Sequence, residues 1–261
     1  MNNVLRWQQF YYHFYYQNML KKIKIWVAKK VENIRRSLQL RYCKSCNVSI
    51  GENCLTDNIL SRYGLKSFST VYSHCRSNID YAIALEKESY KNLLEDKFLY
   101  YDNSQGNRKV VRNNNYSIND NIFNHMHIKG FEFTHHDILG NIAFRKSMER
   151  KRDRLLNYKG KKNFNFFYHY RLNPNISISY ILKRAKEFLT YYEKNNKKCR
   201  FIIFTQIIIK HKKERRLEKV AYSESIVIYT FYTLDIWGGD DPEILWARND
   251  DDLIKEMLHN L

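Results

Sequence analysis

The nine residues from Phe201 to Ile209 are apolar except for Thr205 and Gln206, and β-branched side chains dominate them. A run this uniform reads as a strand buried inside a sheet. Helix-length amphipathic segments stand on both sides of it. Ser177–Asn195 opens on a helix-capping serine. Pro242–Asn260 opens on Asp240, Asp241, Pro242 and Glu243, which suit the positive end of a helix. Buried strands separated by helices predict βαβ units: an α/β domain with a mostly parallel central sheet between helical layers, three layers in all.

The rest of the chain from Cys46 onward fits that alternation. Asn47–Ile50, Phe98–Tyr101, Val110–Val111, Phe131–Thr134, Asn163–Tyr170 and Ser225–Thr233 read as strands. Asn53–Tyr63, Asp80–Lys97 and Ile138–Tyr158 read as helices, the first ended by Gly64. The Asn-rich stretch 102–121 reads as a surface loop, and Lys210–Lys219 as a charged turn or short helix. Charge is uneven. Residues 145–162 carry nine basic and two acidic side chains, net +7, which suits a solvated helix face or a basic cleft.

Residues 1–42 differ from the 43–261 domain. They hold nine Lys/Arg, one acidic residue (Glu32) and many aromatics, with no Gly or Pro. A basic, aromatic N-terminal helical arm is predicted. It packs on a protein surface, or it lies on an anionic membrane with Trp7 and Trp26 at headgroup level and Lys21 and Lys22 on the lipid charge. Cations between aromatics also suit nucleic acid, but no nucleic-acid motif accompanies them, so that partner is not expected.

Five cysteines in 261 residues, an odd number in a large chain, argue against a disulfide framework and for a reducing cytoplasm. No secretory signal is visible, and no run reaches the roughly 18 apolar residues of a transmembrane helix. A cytoplasmic protein is expected, peripheral on the inner membrane face if the arm binds lipid. The formal charge of +18 favours anionic partners.

Chemistry is concentrated in two segments. In Val48–Leu55 a strand ends, Gly51 turns the chain, and a helix begins with Cys54 in its first turn. Unpaired N–H groups and the helix dipole there favour a thiolate and can bind an oxyanion. In Gly130–Asp137 a strand runs into His135, His136 and Asp137, placed by this reading at the carboxyl edge of the parallel sheet, where ligands bind. Either imidazole can act as base toward Cys54, with Asp80 or Asp137 as its orienter. Cys43 and Cys46 have the spacing of half a zinc site, but no second cysteine pair follows. His125 and His127 sit beside an Asn-rich stretch and read as solvated. No metal and no cofactor is expected: phosphate-loop and dinucleotide glycine motifs are absent from the sequence.

Val48–Cys54, Ile59-Leu60, Tyr63–Lys66 and Ser77–Tyr81 resemble a bacterial family of unknown function labelled papain-like cysteine peptidase. That family shows a strand, a Gly-x-x-Cys turn, a helix ending in Gly-Leu and a Ser-x-Pro-Phe-Asp-Trp segment. A later His, an Arg-rich helix and a Trp follow, matched here by His135/His136, Arg145–Arg154 and Trp237 or Trp246. Asn78, Ile79 and Tyr81 stand where Pro, Phe and Trp are usual. The resemblance covers roughly 46–250 and implies a cysteine-dependent hydrolase or acyltransferase with Cys54 as nucleophile. It also implies a substrate pocket touching Asn53, Ser77 and Tyr81, with a peptide, acyl or carbohydrate substrate. The family is similar to one found among surface-polysaccharide genes. That implies an alternative, a polysaccharide-modifying transferase taking a phosphorylated or nucleotide-sugar donor. A third reading is a non-catalytic protein of the membrane surface. The parallel α/β pattern read here differs from the papain architecture.

Overall fold

The computed structural model describes residues 19–27, 30–31, 45–105, 108–116, 129–172 and 176–261. Trp7, Cys43, His125 and His127 lie outside the described residues. The chain divides into two units, 1–43 and 44–261. In the first, residues 19–27 and 30–31 are helical, and Lys21, Lys22 and Trp26 are exposed. The Lys30 ammonium lies 4.6 Å from the centroid of the Trp26 ring.

The second unit is an α/β domain. Its elements begin with β1 (Ser45–Ser49), α1 (Leu55–Arg62), α2 (Ile79–Lys87), β2 (Leu99–Gln105), β3 (Arg108–Asn113) and β4 (Phe131–Phe133). They continue with α3 (Ile142–Tyr158), β5 (Asn163–His169), α4 (Ile178–Thr190), β6 (Arg200–Ile208), β7 (Arg216–Ala221), β8 (Ile226–Thr233), α5 (Pro242–Leu245) and α6 (Asp251–His259). The main sheet has the order β1-β5-β6-β8-β7, with the first four strands parallel and β7 antiparallel at one edge. No helix among the described residues is long and apolar enough to cross a membrane.

Strand alternation sorts the aromatics onto two faces. Phe167, Ile202, Phe204 and Phe231 pack under α1 and α6 with Leu55, Ile59, Ile254 and Met257. Phe164, Phe166 and Phe201 point the other way, against Phe188 and Tyr192 at the end of α4; the Phe166 and Tyr192 rings are 4.6 Å apart. Burying each such ring contributes about 2 kcal/mol, which explains why helices cover both faces.

Elsewhere the structure departs from the sequence-based expectation. The Asn-rich segment is not simply a loop: β2 and β3 run into it and form, with β4, a separate antiparallel sheet of order β2-β3-β4. Its polar pattern hides a buried ion pair, Arg112 Nε to Asp102 at 2.7 Å, with Glu132 also on Arg112. Strand β4, and with it His135 and His136, therefore belongs to this sheet and not to the carboxyl edge of the parallel one. The charged stretch near 216 is an edge strand; exposed charges protect such edges from further pairing. Helix α2 stops at Lys87 because Ser89 and Tyr90 turn left-handed, which tucks the Tyr90 hydroxyl onto Glu86. The 242–260 helix breaks at Ala247, φ +55°, where Trp237 and Arg215 both bond Asp250.

Candidate active site

The β1–α1 turn is built by close approach. A Cβ on Gly51 would lie 2.8 Å from the Asn53 carbonyl oxygen, so only glycine fits. Ile50 N donates to the Phe167 carbonyl (2.8 Å), which ties the turn to β5. Glu52 anchors it again, accepting from the Tyr168 hydroxyl at 2.7 Å and from Arg171 N at 3.2 Å. Burial pushes the Glu52 carboxyl up to about 7, against the opposing pull of Tyr168 and Arg171. Cys54 follows as the half-buried residue capping α1, one position ahead of the predicted first turn.

One turn into α1, Asp57 is 1% exposed yet fully engaged. It accepts from Ser49 Oγ at the end of β1 (3.0 Å), from Ser73 Oγ (2.7 Å) and from Lys66 Nζ (2.6 Å). The His74 ring reaches the same carboxylate, Nε2 to Oδ2 3.3 Å. Burial alone would raise the Asp57 pKa; Lys66, Ser73 and His74 outweigh it and hold it below the usual carboxylate value. Asp57 stands three residues, about one helical turn, beyond Cys54 and holds the His74 ring. His74 adopts φ +62°, a left-handed conformation that costs a non-glycine residue about 1 kcal/mol and that its contacts must offset.

The next residues join this loop to the antiparallel sheet. Arg76 and Glu132 exchange backbone hydrogen bonds (2.9 and 3.0 Å), which brings the end of β4 beside His74. The His135 and His136 ring centroids lie 5.9 and 6.4 Å from that of His74. Lys151, from the basic helix α3, approaches His136 Nε2 at 3.5 Å. Burial and the charges of Lys151, His74 and His135 push His136 down to about 4. Burial likewise lowers His74, with the Asp57 charge opposing it. Both rings are therefore neutral near pH 7. Cys75 is wholly buried, its thiol raised by burial, and it senses the charges of Lys151, Cys54, Glu132 and Asp57. A cavity of about 330 Å³ adjoins the cluster, lined by Tyr101, Lys109, Phe133, His135, His136 and Phe144 among others.

Sequence reasoning singled out Cys54, His135 and His136, and the structure brings both histidines to His74, which Asp57 of α1 holds. It does not bring Asp80 or Asp137 to either imidazole as an orienter. Asp80 is bonded by the Tyr180 hydroxyl (2.8 Å) and by Arg184. Asp137 accepts from the Tyr101 hydroxyl (3.0 Å) and Gly140 N (2.8 Å), closing the turn before α3. Asn53 is spent on Leu55 N (3.0 Å), Ser77 on the Asn78 carbonyl (3.3 Å), and Tyr81 is buried in the core. These three build the helix starts rather than an open pocket. The residues missed were Asp57, His74 and Lys151. Only Asp57 carried a signal, its three-residue spacing from Cys54. Among the described residues, no group of three or more His, Cys, Asp or Glu side chains could hold a metal ion.

No family model matches this sequence, and neither the curated proteins nor the solved structures yield a match.

Proposed function

We propose that this chain is a cysteine-dependent hydrolase or acyltransferase, with Cys54 as nucleophile and His74, oriented by Asp57, as its base. The observation that carries this reading is the 3.3 Å contact between His74 and Asp57, one helical turn beyond Cys54. With Nε2 engaged by Asp57, the His74 Nδ1 is the atom that takes the thiol proton. The sulfur then bonds the acyl carbon, and the carbonyl electrons move to oxygen, where the amides opening α1 receive the charge. Collapse breaks the bond to the leaving group, which recovers the proton from His74. Water or an acceptor hydroxyl then attacks the thioester by the same route, and the thiol is restored. His136 is a poorer base, because the Lys151 ammonium occupies its Nε2. The resemblance to papain-like peptidases agrees with a cysteine preceding its histidine, and a polysaccharide hydroxyl is one acceptor consistent with the basic surroundings.

Iodoacetamide labelling near pH 7 tests the reading. Cys54 should react faster than Cys75 or Cys199, and His74→Ala should slow it roughly tenfold or more. Labelling of Cys54 no faster than of those buried thiols would sink the proposal.

One observation favours a second role for the arm. Ile23, Ile25, Trp26 and Val27 are exposed beside Lys21, Lys22 and Lys24. Such a helix suits an anionic membrane surface, which would place the enzyme on the cytoplasmic face. Cosedimentation with phosphatidylserine vesicles should disappear on deletion of residues 1–42, and retained binding would reject the role.

A further inference from the structure

Several buried or half-buried cations among the described residues sit on carboxylates. Arg112 meets Asp102 and Glu132, Lys66 meets Asp57, and Lys159 meets Glu86. Lys151 is 8% exposed, and its sole hydrogen-bond or ion-pair partner among the described residues is His136. Lys151 senses the Asp57 carboxylate, but that group already serves Lys66 and His74, and burial lowers the Lys151 pKa; an added anion would favour its charged form. His136 carries a second deficit. With Nε2 accepting from Lys151, its Nδ1 bears the proton, and that buried atom has no partner.

His136 is also part of the wall of the 330 Å³ cavity. The other walls are aromatic and aliphatic: Tyr101, Val110, Val111, Phe133 and Phe144. Lys109 adds a second ammonium, exposed and 3.4 Å from the Tyr101 ring centroid, with no carboxylate partner among the described residues. The lining holds one carboxylate, Asp137, already bonded to Tyr101 and Gly140.

We infer that this cavity is a subsite for an oxyanion, a carboxylate or phosphoryl group, carried on an apolar or aromatic stem. The stem lies against Phe133 and Phe144, and the oxyanion lies beside the His136 wall and the Lys109 ammonium, with Lys151 behind the His136 ring. The inference names the substrate class of the site proposed above and rests on that reading only for calling the ligand a substrate.

Titrations of the full chain, followed by the imidazole nitrogen resonances of His135 and His136, test it with three probes. Benzoate and phenyl phosphate present the two oxyanions, and benzamide is the neutral control. Saturable shifts with either anion at tenfold or better affinity than with benzamide support the subsite; the tighter anion identifies carboxylate or phosphoryl. Lys151→Met should weaken anion binding roughly tenfold. Lys109→Met, at an exposed position, provides a variant whose folding is not in question, and a loss in either variant supports the inference. Equal affinity for benzoate and benzamide, or unchanged anion affinity in both variants, overturns it. The Cys54→Ser chain should bind the anions like the parent, so failed thiol labelling and a failed anion site are separate results.

Discussion

Asp57 and Lys151 are both buried ions in one small region, and they are treated in opposite ways. Asp57 has two hydroxyls, an ammonium and an imidazole around its carboxylate. Lys151 has one ring nitrogen at 3.5 Å. The first arrangement is finished without a ligand, and so it serves as scaffold. The second is less complete, and the proposed anion would add to it. Saturation of its buried carboxylate thus lets Asp57 hold both the fold and the His74 ring, whereas Lys151 has polar capacity to spare.

The comparison breaks most visibly at Asp57. Asp57→Ala leaves Lys66 and two hydroxyls buried without an acceptor and should cost about 3–5 kcal/mol in urea denaturation. A loss under about 1 kcal/mol would show that the hub is not structural. Glu52, the other carboxyl of the same turn, sharpens the contrast because burial leaves it poorly ionised. Its folded value near 7 lies above the unfolded 4.5. Its contribution is therefore complete below pH 4.5 and is lost as pH rises through 7. Stability should drop by up to about 3 kcal/mol between pH 5 and pH 8, and Glu52→Gln should flatten that slope.

Lys151→Met removes a buried charge that only the shared Asp57 offsets and should stabilise the chain by about 1 kcal/mol, a rise of roughly 2–4 °C in Tm. Destabilisation would mean that Lys151 is already neutralised. His136 gives a gentler signal. Its folded value near 4 lies below 6.5. Its contribution is full above pH 6.5 and fades as pH falls toward 4, and Lys151→Met should shift that fade to lower proton concentration. Lys109→Met, on the surface, should move stability by less than about 0.5 kcal/mol.

Much of the parallel sheet was legible because its signals are local. Phe201–Ile209, Asn163–Tyr170 and Ser225–Thr233 carry their burial in their own composition, and the matching strands follow within a residue or two. The Gly51 turn was legible too, since a residue without a Cβ marks a close approach. Strands β2 and β3 were read only at their apolar residues, and β7 was missed, because Asn, Lys and Arg do not advertise a strand; partners across the sheet extended or made them. The long C-terminal helix was overextended because its break depends on Trp237 and Arg215 gripping Asp250 from outside the segment.

The same division holds at the site. The order of residues alone placed Cys54 where a strand gives way to a helix, because that geometry is written in adjacent positions. Tertiary structure alone decided which imidazole meets which carboxylate. Asp57, His74, His136 and Lys151 come from a helix, a loop, a turn and a second helix. They meet because the Arg76–Glu132 bridge joins the antiparallel sheet to the loop carrying His74. Contacts between such distant segments depend on closing long loops against chain entropy, a balance that no local pattern records.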